Sequence, residues 1–500
     1  MSSGAGIQGV LQVLVLVVLG RLLTPADFGL VGVALVVVGF SHIFCQLGVG
    51  PAVVQKAEID GGLLRVAFTL SVFLGVGFAL LIFFLAPAIA AFFSQADPGM
   101  QALSPILQVI ALIFPIKGIG IVAEALLQRA LRFRLLASIE VISYAVGYGG
   151  VGVISAAAGM GAWALVFAHL TQSILKVGIT LCFQRHPAWP SLEYNSVKKL
   201  SYFGSGFTFA RIANYFANQG DNVVVGRWLG ADALGYYGRA YQLMAMPAVL
   251  IGQVLDKVLF PLMAKVQKQK GQLANAYLKS VSLTSLLVLP TSVALFILAP
   301  EVIELLLGSQ WLAAVAPFQI LAIGMLFRTN DRLNASLARA TGAVYSRASL
   351  QAIYAGLVIA GAVIGQNWGI SGVAMGVLGA LVINYAAGTR LSLGLTSVTW
   401  GRIFLVHCPA ICLTLLSASQ IGAIAAGLRY LDVPHAVVIL GSTLLPGLTC
   451  AAAIVLFPWL FLGKQGMEMA QLLMRRLPDR FERLHRLLER RMAIEEACIK

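Results

Sequence analysis

Gly20-Arg21-Leu22-Leu23-Thr24-Pro25-Ala26-Asp27-Phe28-Gly29 returns in the second half of the chain as Gly226-Arg227-Trp228-Leu229-Gly230-Ala231-Asp232-Ala233-Leu234-Gly235. Four of the ten positions are identical, and each copy closes one long apolar segment and opens another. Matching placement at matching junctions predicts an internal duplication of helical bundles, the plan on which many secondary transporters are built. A looser match supports it: Gly159-Met160-Gly161-Ala162-Trp163-Ala164 pairs with Gly369-Ile370-Ser371-Gly372-Val373-Ala374, each between two apolar segments.

Hydrophobic residues make up 59% of the chain and charged residues 11%, against roughly 25% charged in an ordinary soluble domain. Most of the chain therefore faces lipid or other helices. Windows of ~20 apolar residues give about fourteen candidate spans, the first at 4–22 and the last at 434–460. The expected fold is an all-α polytopic membrane protein with two six-helix lobes related by the repeat and two extra helices. The corresponding division is a lobe over 1–184, a linker over 185–202, a second lobe over 203–393, extra helices 13 and 14 over 394–462, and a tail over 463–500. The first span has no preceding basic region and no small-residue cleavage site after it, so it reads as a retained helix and not a signal peptide.

Lys and Arg crowd the connections after helices 2, 4, 6, 8, 10 and 12, whereas the opposite connections hold Arg21, Arg227, Arg239 and Arg429. By the positive-inside rule both termini are expected in the cytoplasm. The formal charge of +15 is thus mostly topology, and its dispersal over short loops argues against a nucleic-acid partner. In the tail, Leu472, Leu473, Phe481, Leu484, Leu487 and Leu488 oppose a row of arginines, with Pro478 dividing two amphipathic pieces. Such a pattern predicts a cytoplasmic helix lying on anionic lipid. The six cysteines are scattered and point to neither disulfides nor zinc.

Helix seven carries Arg211, Asn214, Asn218, Asp221 and Asn222 within about a third of its circumference. One Arg or Asp at the bilayer centre costs roughly 2.5–3.5 kcal/mol on translocon scales, so this stripe should face a wet cavity or other polar groups. Two readings stand: a cavity wall for a polar solute, or a structural seam between helices. Ionisable groups also occur in other spans: His42, Lys117, Glu124, Glu140, Lys176, Asp256 and Lys257. Lys117 and Glu124 are seven apart and share a face, while Lys176 reads as a snorkelling residue. No connection is long enough to fold as a catalytic domain, and nucleotide-binding, zinc-protease and serine-hydrolase motifs are absent, so no enzyme activity and no cofactor is expected. The pairs Gly118/Gly120 and Gly75/Gly77 read as helix-packing glycines.

With these segments in view the chain resembles the Wzx-type lipid-linked oligosaccharide flippases, of the polysaccharide transporter family in the multidrug/oligosaccharidyl-lipid/polysaccharide (MOP) superfamily. The carrying stretches are Gly20–Leu30, Leu47–Gln55, Leu126–Phe133, Asp221–Tyr241 and Leu259-Phe260-Pro261, in order, and the likeness runs from residue 4 to about 430. The resemblance implies translocation of an undecaprenyl-diphosphate-linked repeat unit across a bacterial inner membrane for exopolysaccharide or O-antigen synthesis, by alternating access. Its implied partners are that glycan, membrane lipids and the polymerase or export machinery, with the carrier itself a monomer.

For such a substrate, Arg211 and Lys117, with Arg21 or Arg227 near the outer mouth, are expected to contact diphosphate, because guanidinium suits bidentate phosphate recognition. Asn214, Asn218 and Asn222 are expected to bond sugar hydroxyls, and Tyr215 to stack on a sugar face. Asp221, Glu124 or Glu140 are candidates for ion coupling. Arg21 and Arg227 have an equal second reading as caps of helix C-termini. A multidrug cation antiporter of the same superfamily or a lipid II flippase are the alternative functions. A polymerase or ligase is disfavoured because it needs a large external loop.

Overall fold

The computed structural model describes the backbone of residues 2–46, 48–55, 60–186, 191 and 193–474. Side chains are described over the same stretches, apart from 2–5, 7, 45–46, 194–210, 250–251, 253–262 and 470–474. The side chains of Asp256 and Lys257, and the arginine-rich end of the tail from 475 on, lie outside the described residues. Every regular element among the described residues is helical. Nine helical runs there are long and apolar enough to cross a bilayer, or ten when the bent pair Ser309–Ile323 and Met325–Ala340 is taken as one span. Outward side chains such as Phe73 and Phe84, 72% and 74% exposed, give these runs an apolar exterior. The chain is a multi-pass membrane protein.

By contact the chain forms two compact units. The first comprises 1–238 with 306–311 and 358–373. Its principal helices are α1 (Ser2–Leu22), α2 (Pro25–Gln46), α3 (Gly61–Phe93), α4 (Ile113–Arg129), α5 (Phe133–Tyr144), α6 (Ala162–Phe183) and α7 (Tyr194–Trp228). Here α7, placed by the repeat at the head of the second lobe, belongs by contact with α1–α6.

Glycines set the spacing inside this unit. A Cβ on Gly75 of α3 would fall 2.7 Å from the Phe114 carbonyl oxygen, and one on Gly118 of α4 would fall 2.6 Å from that of Ser71. The two helices therefore meet backbone to backbone, as small residues permit in lipid. Gly120 gives α6 a different fit, its missing Cβ 2.7 Å from a methyl of the Val177 side chain. Gly77 faces open space and plays no such part. After α5 the chain widens into a π-helical stretch, Ala145–Gly152, where Gly147 backs onto Ala168 and Gln172 of α6. Wide turns of this kind re-aim side chains and are enriched at functional positions.

The second unit comprises 239–305, 312–357 and 374–500. It begins within α8 (Gly230–Lys265) and contains α9 (Lys270–Ile297), α10 (Met325–Ala340), most of α11 (Val344–Gly365) and of α12 (Gly369–Thr396), α13 (Trp400–Tyr430) and α14 (His435–Leu456). Its centre mixes apolar and polar burial. Tyr277 donates to Asn334 Oδ1 at 2.7 Å, which also accepts from Ser392 at 2.9 Å, and Asn334 donates to Thr389. Arg347 forks onto both oxygens of Asp331 at 2.9 and 2.6 Å. Arg347 thus supports the inside-positive pattern in sequence but is spent in structure on an internal pair. The segment Pro458–Met474 breaks at Gly463, where φ is +63°. Beyond that break Glu468 pairs with Lys279 of α9 at 2.7 Å, so the described start of the tail is held by protein.

Candidate functional site

Helices α2, α4, α5 and α6 surround a cavity of about 280 Å³ in the first unit. Its polar lining is His42 from α2, Lys117 and Glu124 from α4, Glu140 from α5, and His169, Gln172, Ser173 and Lys176 from α6. The Gly118 and Gly120 contacts bring α4 close to its neighbours, which is what lets side chains from four helices converge. Lys176 Nζ lies 2.9 Å from Glu140 and 3.4 Å from Glu124. Gln172 Nε2 donates to the other Glu140 oxygen at 3.1 Å. Tyr148, from the widened turn after α5, bonds the His169 ring at 3.1 Å. His42 sits in the combined positive field of Lys117, Arg211 and Lys176, so α7 bears electrostatically on this cavity.

Three of the sequence-derived site residues, Lys117, Glu124 and Glu140, therefore meet in one cavity, and the shared face of Lys117 and Glu124 is realised. Lys176, read from sequence as snorkelling, bridges two carboxylates from different helices. His169, Gln172 and Ser173 were missed as lining residues. The signal was present: 169, 172 and 176 follow the i, i+3, i+7 spacing of one helical face.

The α7 stripe is divided by its surroundings. Arg211 is half-buried and Asn214 exposed. Asn218 donates to the Asn214 carbonyl and side chain at 2.6 and 3.2 Å, and Asn222 donates to Gln219 at 2.6 Å. Asp221 is only 2% exposed and accepts from the Tyr237 hydroxyl at 2.7 Å. Along the stripe, Asp221 thus bonds to Tyr237 of α8, whereas Asn218 and Asn222 bond along α7 itself. Tyr215 donates to the Val36 carbonyl, and its ring lies 5.9 Å from Phe40 and 6.2 Å from Phe216. It docks α7 on α2 and does not line the cavity.

At the repeated junctions, Thr24 and Asp27 form a reciprocal cap. Asp27 accepts from the Thr24 amide and hydroxyl at 2.9 and 2.8 Å, and Thr24 Oγ1 accepts from the Asp27 amide. With Pro25 following, this is a capping box at the start of α2. The second copy has Gly230 where Thr24 stands, and Asp97 supplies the missing oxygen, accepting from the Ala231 amide at 3.1 Å. Arg227 donates to the Phe92 carbonyl and to Gln95, with its guanidinium 4.3 Å over the Phe92 ring. Of its two readings the structure displays the capping one, at the C-terminal end of α3. Arg21 lies exposed in the last turn of α1, where the Gly20 carbonyl accepts from Trp311 and Gln310 and the Leu23 carbonyl, just past the helix, accepts from Gln310.

Solved structures of MOP-superfamily transporters share this fold. The lipid II flippase MurJ in its inward closed conformation superposes with a TM-score of 0.75 over 91% of this chain and 98% of that one, at 13% identity. An inward-facing MATE multidrug transporter of the MOP superfamily gives 0.61 over 78% and 96%, at 16% identity. The family model described as "Polysaccharide biosynthesis protein" matches residues 18–316, and the chain belongs to that family. Its relatives include a membrane protein of the cps region of Klebsiella pneumoniae, 30% identical over 64% of this chain and 65% of that protein. The teichuronic acid biosynthesis protein TuaB of Bacillus subtilis is 26% identical over 67% and 68%. The lipopolysaccharide biosynthesis protein WzxC of Escherichia coli is 27% identical over 73% and 74%. The match thus spans about two thirds to three quarters of these relatives' length.

Proposed function

We propose that the chain flips an undecaprenyl-diphosphate-linked oligosaccharide repeat unit across a bacterial inner membrane for surface polysaccharide synthesis. The observation that carries this reading is the cation-bearing cavity inside the first unit, in a chain of a polysaccharide biosynthesis family whose fold is that of known flippases. Carrying a naked diphosphate through hydrocarbon costs on the order of tens of kcal/mol. Fixed ammonium and guanidinium groups in a polar cavity remove most of that barrier. At about 280 Å³ the cavity is at the small end of the roughly 300–1,000 Å³ range of ligand pockets. It suits the charged diphosphate and an adjoining sugar, and the remaining glycan and the prenyl chain lie outside it.

In this reading Lys117 and Arg211 contact the diphosphate, with Arg21 or Arg227 near the outer mouth, and Asn214, Asn218 and Asn222 meet sugar hydroxyls. Both termini lie in the cytoplasm, the carrier acts as a monomer by alternating access, and a polymerase receives its product. The test is gene deletion followed by leaflet assignment of the lipid-linked oligosaccharide. Accumulation on the cytoplasmic leaflet, reversed by the wild-type gene, supports the proposal. Unchanged leaflet distribution with new sensitivity to cationic dyes supports multidrug export, and loss of viability with accumulated lipid II supports a lipid II flippase.

A further inference from the structure

The bridge made by Lys176 has a consequence for how substrate entry is coupled. One ammonium serves two carboxylates, Glu140 at 2.9 Å and Glu124 at 3.4 Å. With both carboxylates ionised, the three groups carry one more negative than positive charge. Lys117 on the same lining balances that excess over the cavity as a whole, but Lys176 itself faces two carboxylates. Electrostatic energies are larger here than in water, since the helices around it are of low dielectric. A diphosphate gains Lys176 only if something else neutralises the carboxylates.

The two carboxylates are not equivalent. Glu140 has the shorter contact to Lys176 and also accepts from Gln172 at 3.1 Å, so both of its oxygens are engaged. Glu124 has the longer contact and is about one third exposed. Glu124 is the one better placed to take a proton from the cavity.

We propose that Lys176 is an exchangeable counter-ion. When Glu124 takes up a proton, the Lys176 ammonium passes from the Glu124–Glu140 pair to the substrate diphosphate, and it returns when the diphosphate leaves and Glu124 gives the proton up. This rests on the diphosphate-carrier reading above and adds to it the coupling proton, its acceptor and the residue that transmits it. One proton enters per diphosphate bound, no covalent bond to the substrate changes, and by linkage protons and diphosphate each raise the affinity for the other. The other charged or titratable groups around the exchange are His42 on α2, Lys117 on α4, His169 on α6 with its partner Tyr148, and Arg211 on α7. His42 and His169 are the other proton acceptors on this lining, so the test must separate them from Glu124.

The experiment measures binding of farnesyl diphosphate to the full-length protein in phosphatidylcholine nanodiscs between pH 5.5 and 8, with proton uptake read in weakly buffered solution. All curves are compared with that of Glu124→Gln, which shares the ligand's own titration. Wild type is expected to bind up to about tenfold more tightly per unit fall in pH beyond that reference, the slope for one linked proton. Glu124→Gln should bind at high pH as wild type does at low pH, with no linked uptake. Lys176→Gln should bind at least about tenfold more weakly at every pH, the size of one charged contact, while Lys176→Arg keeps binding and slope. Replacing Na⁺ by choline should leave the wild-type curve unchanged.

A wild-type slope no steeper than that of Glu124→Gln overturns the inference, as does a Na⁺ requirement in place of the pH dependence. Parallel weakening by Glu124→Gln and Lys176→Gln also overturns it, because a purely structural triad predicts loss from either change. Binding that ignores pH removes only this inference. Absence of binding to wild type at any pH removes the diphosphate reading itself, and the exchange with it.

Discussion

Gly29 backs onto the carbonyl of Ala231 so closely that a Cβ would fall 1.8 Å from the oxygen, and Gly235 stands in the same relation to Pro25, at 2.0 Å. Gly235 is the repeat counterpart of Gly29, and Ala231 that of Pro25. The two copies of the junction therefore clasp one another through the same two positions exchanged, the pattern of an isologous contact made within one chain. The sequence match that betrayed the duplication is also a packing device.

Gly29→Ala and Gly235→Ala should each be destabilising, by at least the roughly 1–3 kcal/mol typical of overpacking, because backbone and not a flexible side chain fills the space. Their effects should be similar in size and less than additive together, since both relieve the same contact. Thermal unfolding of the purified protein in detergent checks this. Gly77→Ala is the control: nothing lies within 4 Å of its added methyl, and the change should be neutral or slightly stabilising.

Glu301, on the short helix Ala299–Leu307 outside the spans, gives a pH prediction. Burial pushes its carboxyl up, but the bonds from Arg429 at 2.6 and 2.9 Å outweigh burial and hold it below the usual 4.5. A carboxyl depressed in the folded state adds stability above its unfolded pKa and loses it as pH falls through the folded value. Wild type should therefore lose melting temperature as pH drops below about 4.5. Arg429→Gln should melt lower at pH 7 and lose less on acidification, and an identical acid slope in both proteins counts against the pair.

Asp331 and Arg347 are 15% and 14% exposed and paired through both oxygens. Removing one partner of a buried pair costs about 3–5 kcal/mol. Asp331→Asn and Arg347→Gln should each fall in that range, reduced for partial exposure, and Arg347→Lys should recover only part, since an ammonium cannot fork. A double mutant far less destabilised than the sum of the singles identifies the pair as the cause, by thermal or denaturant unfolding.

Arg211 supplies the direct test of diphosphate contact. Arg211→Ala should abolish polymer export at wild-type protein level, with Arg211→Lys intermediate because charge survives and the bidentate geometry does not. Wild-type export by both variants removes Arg211 from the contact set.

Local pattern reached far in this chain. An apolar run of helical length announces a membrane span wherever it occurs, and the repeated junction marks where two halves begin. The spacing of Lys117 and Glu124 placed them on one face, and one face of a helix is a property of that helix alone. What no single helix determines is its neighbour. Asp221 and Asn222 are adjacent in sequence, yet Asp221 is sealed against Tyr237 while Asn222 bonds along its own helix. Lys176 looked like an interfacial residue until α4 and α5 brought it Glu124 and Glu140. Periodicity decides which side chains point together. Only the packing of α4, α5 and α6, set by where glycines allow backbones to touch, decided what those side chains meet.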